Sequence, residues 1–329
     1  MEILYLWFMR ILITGATGLV GSAIVEQCRK KDIAVNYLTT SKSKITSEPK
    51  FQGYYWNPDK GEIDLDSLVG VSAIINLAGA SISKRWTSSY RKEIMSSRVN
   101  SLRTLHTALE KVDTTDIFSF VSASAIGRYP DSLSKFYTEE ETAVDDSFLG
   151  EVVEAWENEI DKFNSFNFKV AKVRIGLVMS CNGGALPEMA KPVKNYVGAA
   201  FGTGEQWQSW VHISDLARIF MFVVEYGLEG IYNGVGPNPV TNTKLVKEIA
   251  KVLDRPVVLP NIPKLVMKII LGKMSYLLFA SQRVSCKKIE EEGFNFTFPN
   301  VCLALEAIYS SPECTKSSEM GSFTKEYTS

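Results

Sequence analysis

Directly behind the apolar run Ile11-Leu12-Ile13, glycine recurs at every third position within Thr14-Gly15-Ala16-Thr17-Gly18-Leu19-Val20-Gly21. The run is strand-like and the residues after it are helix-like, so the glycines occupy a strand-to-helix turn. Each has its own mechanical task. Gly15 makes the tight turn, Gly18 lets the backbone approach a bound pyrophosphate, and Gly21 lets the helix lie against the strand. The free N–H groups and positive dipole end of such a helix favour an anion, by about 1 kcal/mol from the dipole alone. A glycine motif by itself is weak evidence and can be a merely structural turn. Here a second strand at residues 33–39 follows at the spacing of a dinucleotide-binding βαβ unit, with Thr17, Leu19 and Val20 completing the candidate cofactor contacts.

The composition excludes several classes. With 45% apolar and 22% charged residues the chain reads as globular, and 329 residues suffice for one large domain or two lobes. A formal net charge of −1 gives no general attraction to nucleic acid or to an anionic membrane, which leaves only a local patch open. Five widely spaced cysteines, without a Cys-x-x-Cys pair, read as reduced thiols in a cytoplasmic protein. Two histidines, His106 and His212, without Cys or His clustering argue against a metal site. No run reaches the roughly 18 to 20 apolar residues of a spanning helix. Residues 265–279, broken by Lys268, Gly272 and Lys273, read instead as a packed amphipathic helix. The apolar residues 1–8 lack the marks of a secretion signal and read as an extension ahead of Met9, where the first strand begins.

Strand-like runs at 11–13, 35–38, 54–56, 73–77, 118–122 and 172–175 alternate with helical stretches near 19–31, 87–111 and 147–165. That alternation predicts an α/β fold, a Rossmann-like doubly wound parallel sheet. From about residue 180 glycines and prolines loosen the pattern, as insertions of a smaller C-terminal substrate lobe would. The expected division is 9–235 for the nucleotide-binding domain, 236–310 for a C-terminal domain and 311–329 for a disordered tail, polar and poor in apolar residues.

An ordered series of motifs then points further: the glycine turn, Ile75-Asn76-Leu77-Ala78-Gly79-Ala80, Ser97-Arg98-Val99-Asn100, Ser122-Ala123-Ser124-Ala125-Ile126-Gly127, residues 207–215 and Asn238-Pro239-Val240-Thr241-Asn242. With these the chain resembles the extended, atypical branch of the short-chain dehydrogenase/reductase superfamily. Ala280-Ser281-Gln282-Arg283-Val284 and Gly293-Phe294 narrow the resemblance to an NAD(P)-dependent epimerase-like family carrying an added C-terminal domain of unknown function. The resemblance implies that Asn76, Ala78 and Gly79 pass beside the adenosine half of the cofactor, and that Ser122 and Ser124 end the fifth strand near the nicotinamide. It also implies a homodimer paired through long helices. Asn76 as a strand-end cap, and the serines as an ordinary turn, are the alternatives.

The end of the second strand discriminates between cofactors, because an acid there binds a ribose 2′-hydroxyl and a base a 2′-phosphate. It reads Thr39-Thr40-Ser41-Lys42-Ser43-Lys44 without a carboxylate. The hydroxyls of Thr40 and Ser41 and the charge of Lys42 favour NADP(H) over NAD(H), with a solvated loop as the alternative.

Short-chain dehydrogenases usually place a lysine four residues after a tyrosine, so that one helix face carries both and the ammonium lowers the phenol pKa. None of the thirteen tyrosines has that lysine. Phe148 and Val152 occupy the corresponding places. The remaining catalytic candidates are Ser124, Tyr129, whose alternative role is packing, and Glu151, a general base if burial raises its pKa and otherwise an ion-pairing residue. Arg85 and Trp86 follow the Asn76-to-Gly79 turn and are candidates to hold an anionic group and cover a ring of a small-molecule substrate, unless they form a solvated loop. His212 and Asp215 read as fold-fixing residues. The expected function is an NAD(P)-binding oxidoreductase or epimerase acting on a hydroxyl- or carbonyl-bearing metabolite, with a nucleotide sugar as one candidate. The alternative is a catalytically impaired NADP(H)-sensing protein.

Overall fold

The computed structural model describes residues 9–312 and 314. Seven parallel strands form its centre: β1 (Arg10–Thr14), β2 (Ala34–Thr39), β3 (Phe51–Asn57), β4 (Ala73–Asn76), β5 (Ser119–Ala125), β6 (Lys169–Ile175) and β7 (Gly230–Gly234), in the order β7-β6-β5-β4-β1-β2-β3. Two short strands, Ser47–Glu48 and Glu62–Ile63, pair antiparallel with β3. Strands covered on both faces need near-continuous apolar runs, and β1 and β4 are buried along almost their whole length.

The helices follow from spacing and caps. In α1 (Leu19–Lys30) the buried residues Gly21, Ile24, Val25 and Cys28 fall on one stripe, which packs on α5 (Ile213–Glu225). On the other face α2 (Ser88–Leu109) packs on α3 (Phe148–Asp161). Thr87 caps α2 by accepting from the Tyr90 N–H, and Ser147 caps α3 by accepting from the Gly150 N–H.

Beyond β6 a second core forms from α4 (Ala185–Lys194), α6 (Asn242–Val252) and α8 (Val301–Ser310), around Leu186, Trp210, Leu245, Ile249 and Leu305. The C-terminal region contributes to both cores, since Val284, Cys286, Ile289 and Phe294 pack with the sheet and Val301 to Ile308 with the second core. Of the expected tail, residues 313 and 315–329 lie outside the described residues, as does the segment 1–8, while Cys314 is buried in the second core. The expected packed helix near 265–279 differs in one respect. Helix α7 (Lys264–Leu271) forms there, yet its aliphatic side chains face outward, because only its Met267 and Leu271 side is half-buried.

Candidate functional site: a nucleotide cradle at the carboxyl edge of the sheet

The glycine turn carries out the three tasks at close quarters. Gly15 has φ +70°, and a Cβ there would meet the Leu77 carbonyl oxygen at 3.0 Å. A Cβ on Gly21 would lie 2.2 Å from the Gly15 carbonyl oxygen and 2.7 Å from Ala16 Cα, so only glycine lets α1 leave β1 at this angle. Gly18 is different. A Cβ there would touch nothing but the Gly15 carbonyl oxygen, at 3.2 Å, and the residue is exposed beside Thr17. The space over Gly18 is open, as close approach of a pyrophosphate requires. The first intrahelical bond of α1 runs from Ser22 N–H to the Gly18 carbonyl, and no side chain caps the helix. The N–H groups of Leu19, Val20 and Gly21 therefore lack intrahelical partners and suit an anion.

Across the cleft from this turn, Gly183 and Gly184 pack on Leu19: their added Cβ atoms would sit 3.6 and 3.3 Å from its methyl groups. The loop that starts α4 thus closes over the start of α1. In the sequence these glycines read only as punctuation, although paired positive φ values, +157° and +77°, mark a backbone that few other residues adopt.

The other cofactor candidates divide into exposed and buried groups. Thr40 and Lys42 are exposed at the end of β2, where residues 42–44 form a short 3-10 turn and the Lys42 ammonium lies 5.1 Å from the Tyr55 ring centre. Ser41 is half-buried, its N–H donating to Thr39 Oγ1 at 3.2 Å. Ala78, half-buried, and exposed Gly79 follow β4. Asn76 and Ser122, by contrast, have no exposure. Strand register makes Thr14, Asn76 and Ser122 neighbours across β1, β4 and β5. Thr14 Oγ1 donates to Asn76 Oδ1 at 2.7 Å and Asn76 Nδ2 donates to Ser122 Oγ at 2.9 Å. Thr14 Oγ1 also accepts from the N–H groups of Leu77 and Ala78. This row holds the loop after β4 in place from below.

A second buried row continues the first. Ser124, Arg174 and Asn233 are register neighbours across β5, β6 and β7. Ser124 Oγ donates to Glu157 Oε1 at 2.6 Å, and Arg174 grips both Glu157 oxygens at 2.8 Å. Tyr129 closes the row, its hydroxyl donating to Asn233 Oδ1 at 2.7 Å and accepting from Arg174 Nη1 at 3.0 Å. Burial pushes the Tyr129 phenol above its ordinary range, and the adjacent Arg174 charge offsets this only in part. Burial also acts to raise the Glu157 carboxyl, but the hydrogen bonds and charge of Arg174, with Ser124, hold it below the usual carboxylate range. Ser124 and Tyr129 therefore lie under the cleft floor with their hydroxyls engaged. Arg174, Glu157 and Asn233 went unnoticed in the sequence, and the available signal was polarity inside otherwise buried stretches.

Glu151 is exposed on the first turn of α3 and lines an open groove of about 400 Å³ with Ser88, Arg91 and Phe148. Phe148 meets Trp86 edge-on at 5.4 Å and carries the Arg91 guanidinium on its face at 4.1 Å, while Val152 is buried with Trp86 and Ile94. Trp86 donates its Nε1–H to the Ile82 carbonyl at 2.9 Å, and Arg85 beside it is exposed. Arg98 sits directly below Gly79. Its guanidinium reaches only the carbonyls of Ala80 and Ile94 and the face of Trp156, and burial lowers its pKa to about 10. Among the described residues it has no carboxylate partner, and in the sequence it was noted only as part of a motif.

His212 and Asp215 join chain segments. His212 Nδ1 accepts from the Ser214 N–H at 3.1 Å, with its pKa lowered by burial to about 4. Asp215, almost fully buried, accepts from Arg218 and from the N–H groups of Thr297 and Phe298. Among the described residues no group of His, Cys, Asp and Glu is placed to hold a metal ion, and all five cysteines are free thiols.

Comparison with known proteins agrees with this fold. The profile of the NAD dependent epimerase/dehydratase family matches residues 11–234, and that of a domain of unknown function, DUF1731, matches residues 262–308. An epimerase family protein of Staphylococcus epidermidis is 36% identical over 298 residues, covering 90% of this chain and 98% of its own length. Among solved structures, human epimerase family protein SDR39U1 (isoform 2) with NADPH superposes with a TM-score of 0.79 at 26% identity, over 91% of this chain and 99% of that one. A nucleoside-diphosphate sugar epimerase from Corynebacterium glutamicum, also 26% identical, gives 0.72 over 96% of this chain, which spans 65% of that protein. A UDP-glucose 4-epimerase from Thermus thermophilus in complex with NAD, 15% identical with a TM-score of 0.71 over 92% of this chain and all of its own, shares the fold. The chain belongs to the NAD dependent epimerase/dehydratase family, in the branch that carries DUF1731, and is an NAD(P)-binding protein with the Rossmann fold of that family.

Proposed function

We propose that the protein binds NADP(H) and works through that binding, as a cofactor-sensing or regulatory member of its family without efficient acid–base turnover. One observation carries the reading. The cradle over Gly18 is open and complete, whereas the two places that would move a proton hold Phe148 and Val152, packed among Trp86, Ile94 and Leu149. When bound, the nicotinamide would supply hydride donor and acceptor chemistry. This chain's own residues would seat the pyrophosphate on the Leu19, Val20 and Gly21 N–H groups and offer Thr40, Ser41 and Lys42 to a ribose phosphate. The preference for NADP(H) rests on that carboxylate-free edge, and the NADPH in the human relative's structure agrees with it.

Lys42→Glu tests the preference. The variant should lose about tenfold or more in NADPH affinity, the order of one charge-assisted contact, and keep its affinity for NADH. Equal loss for both cofactors would show that Lys42 does not read the phosphate.

The second reading is a slow oxidoreductase or epimerase acting on a hydroxyl- or carbonyl-bearing metabolite. The exposed Glu151 beside Phe148 favours it, because that carboxylate faces an open groove. Turnover of a screened sugar nucleotide that falls about 10²-fold in Glu151→Gln would establish it, that being the scale of a general acid–base contribution. A homodimer paired through long helices is proposed with either reading.

A further inference from the structure

We propose that the outward face of α7 docks the protein on an anionic lipid bilayer. The observation is an uncovered aliphatic surface inside a segment with only one sign of charge. Leu265, Ile269 and Ile270 are 68%, 74% and 59% exposed, and Val266 stands beside them. At 100° per residue these four side chains fall on one continuous side of the helix, while Lys264 and Lys268 share its flank. Val258, 76% exposed, and Leu259 add aliphatic surface in the chain leading into α7. Scattered exposed aliphatics are ordinary, but a whole helix face of them marks an interaction surface.

The charge pattern selects the partner. From residue 260 to 280 the charged side chains are Lys264, Lys268 and Lys273, with not one aspartate or glutamate, in a chain whose net charge is −1. Lys268 and Lys273 form no ion pair among the described residues. Aliphatic side chains flanked by lysines are what an interfacial helix presents to acyl chains and anionic headgroups. Two copies of this face would bring like charges together, which disfavours self-association. An overall charge near zero hides the segment from composition. Because no helix among the described residues is long and apolar enough to cross a membrane, the association is peripheral.

The helix is also held for such a role. An eight-residue helix is marginal alone, and residues 274–278 tie α7 down from its C-terminal side. Tyr276 donates its hydroxyl to Asp145 at 2.8 Å, Gln206 Nε2 donates to the Leu278 carbonyl at 2.9 Å, and Met274 and Leu277 pack on the Trp86 cluster.

Sedimentation of the full-length protein with vesicles tests the proposal, using phosphatidylcholine alone and phosphatidylcholine mixed with phosphatidylglycerol. The protein should pellet with the mixed vesicles and remain in solution with the neutral ones. Lys264→Gln and Lys268→Gln should each weaken binding by about fivefold, the worth of one cation near an anionic surface. Ile269→Glu should abolish binding with an unchanged melting temperature, since the side chain it replaces is exposed. Failure to pellet with the mixed vesicles, or equal binding by Ile269→Glu, would overturn the proposal. So would concentration-dependent self-association that Ile269→Glu removes, since the face would then belong to a second copy.

Discussion

Replacing Glu157 with alanine should lower the free energy of unfolding by about 3–5 kcal/mol, the cost of leaving one partner of a buried ion pair alone. Arg174 has a side chain 2% exposed and Glu157 one 5% exposed, so neither charge recovers water when its partner is removed. The loss spreads along the row, because Ser124 gives up its acceptor and Arg128, 3.7 Å from the same carboxylate, gives up its nearest one. Glu157→Leu combined with Arg174→Met should cost less than Glu157→Ala alone, since no charge is then stranded. Urea denaturation of the three variants checks this, and a double variant less stable than the single one would refute it. The pH dependence has a definite sign. A carboxyl held below its unfolded value contributes stability that is full above that value, about 4.3 for glutamate, and is lost as the pH falls through the folded value. The deficit of Glu157→Ala should therefore be largest at neutral pH and shrink in acid.

Gly21→Ala should be the second severe change, at about 3 kcal/mol or more. The added methyl would meet backbone at 2.2 and 2.7 Å, and backbone cannot move aside as a flexible side chain can. Relief requires α1 to shift away from the turn, which would also displace the Leu19 and Val20 N–H groups from the cradle. Gly18→Ala is the matched control. It meets one atom at 3.2 Å, so its cost should stay within about 1 kcal/mol. Thermal melting of the two variants distinguishes the roles, and similar losses would show that the glycines do not divide them.

The cradle was legible because each of its requirements is local. A glycine triplet between a strand run and a helix run specifies turn, approach and packing within eight residues, and the parallel sheet follows from the alternation around it. The buried rows were only half legible. Asn76, Ser122 and Ser124 were named through the family resemblance, but Arg174 and Asn233, which complete the row beside Ser124, come from strands that register brings together 50 and more residues later. Tyr129 showed the limit of a motif, since its distance from the serines along the chain says nothing about whether its hydroxyl reaches a cleft or a buried arginine. Helix α7 misled for a related reason. An amphipathic pattern shows that two faces differ, and not which one the fold covers.

We propose the glycine turn as a working NADP(H) site. Its most direct test is a titration of the purified protein with NADPH and NADH, followed by nicotinamide fluorescence, with Gly18→Asp as the control. Saturable binding, tighter for NADPH, should fall at least about a hundredfold in Gly18→Asp at an unchanged melting temperature, because the new carboxylate would occupy the open space and repel the pyrophosphate. Absence of saturable binding by either cofactor, or binding that survives Gly18→Asp, would show that the glycine turn is not the cofactor site.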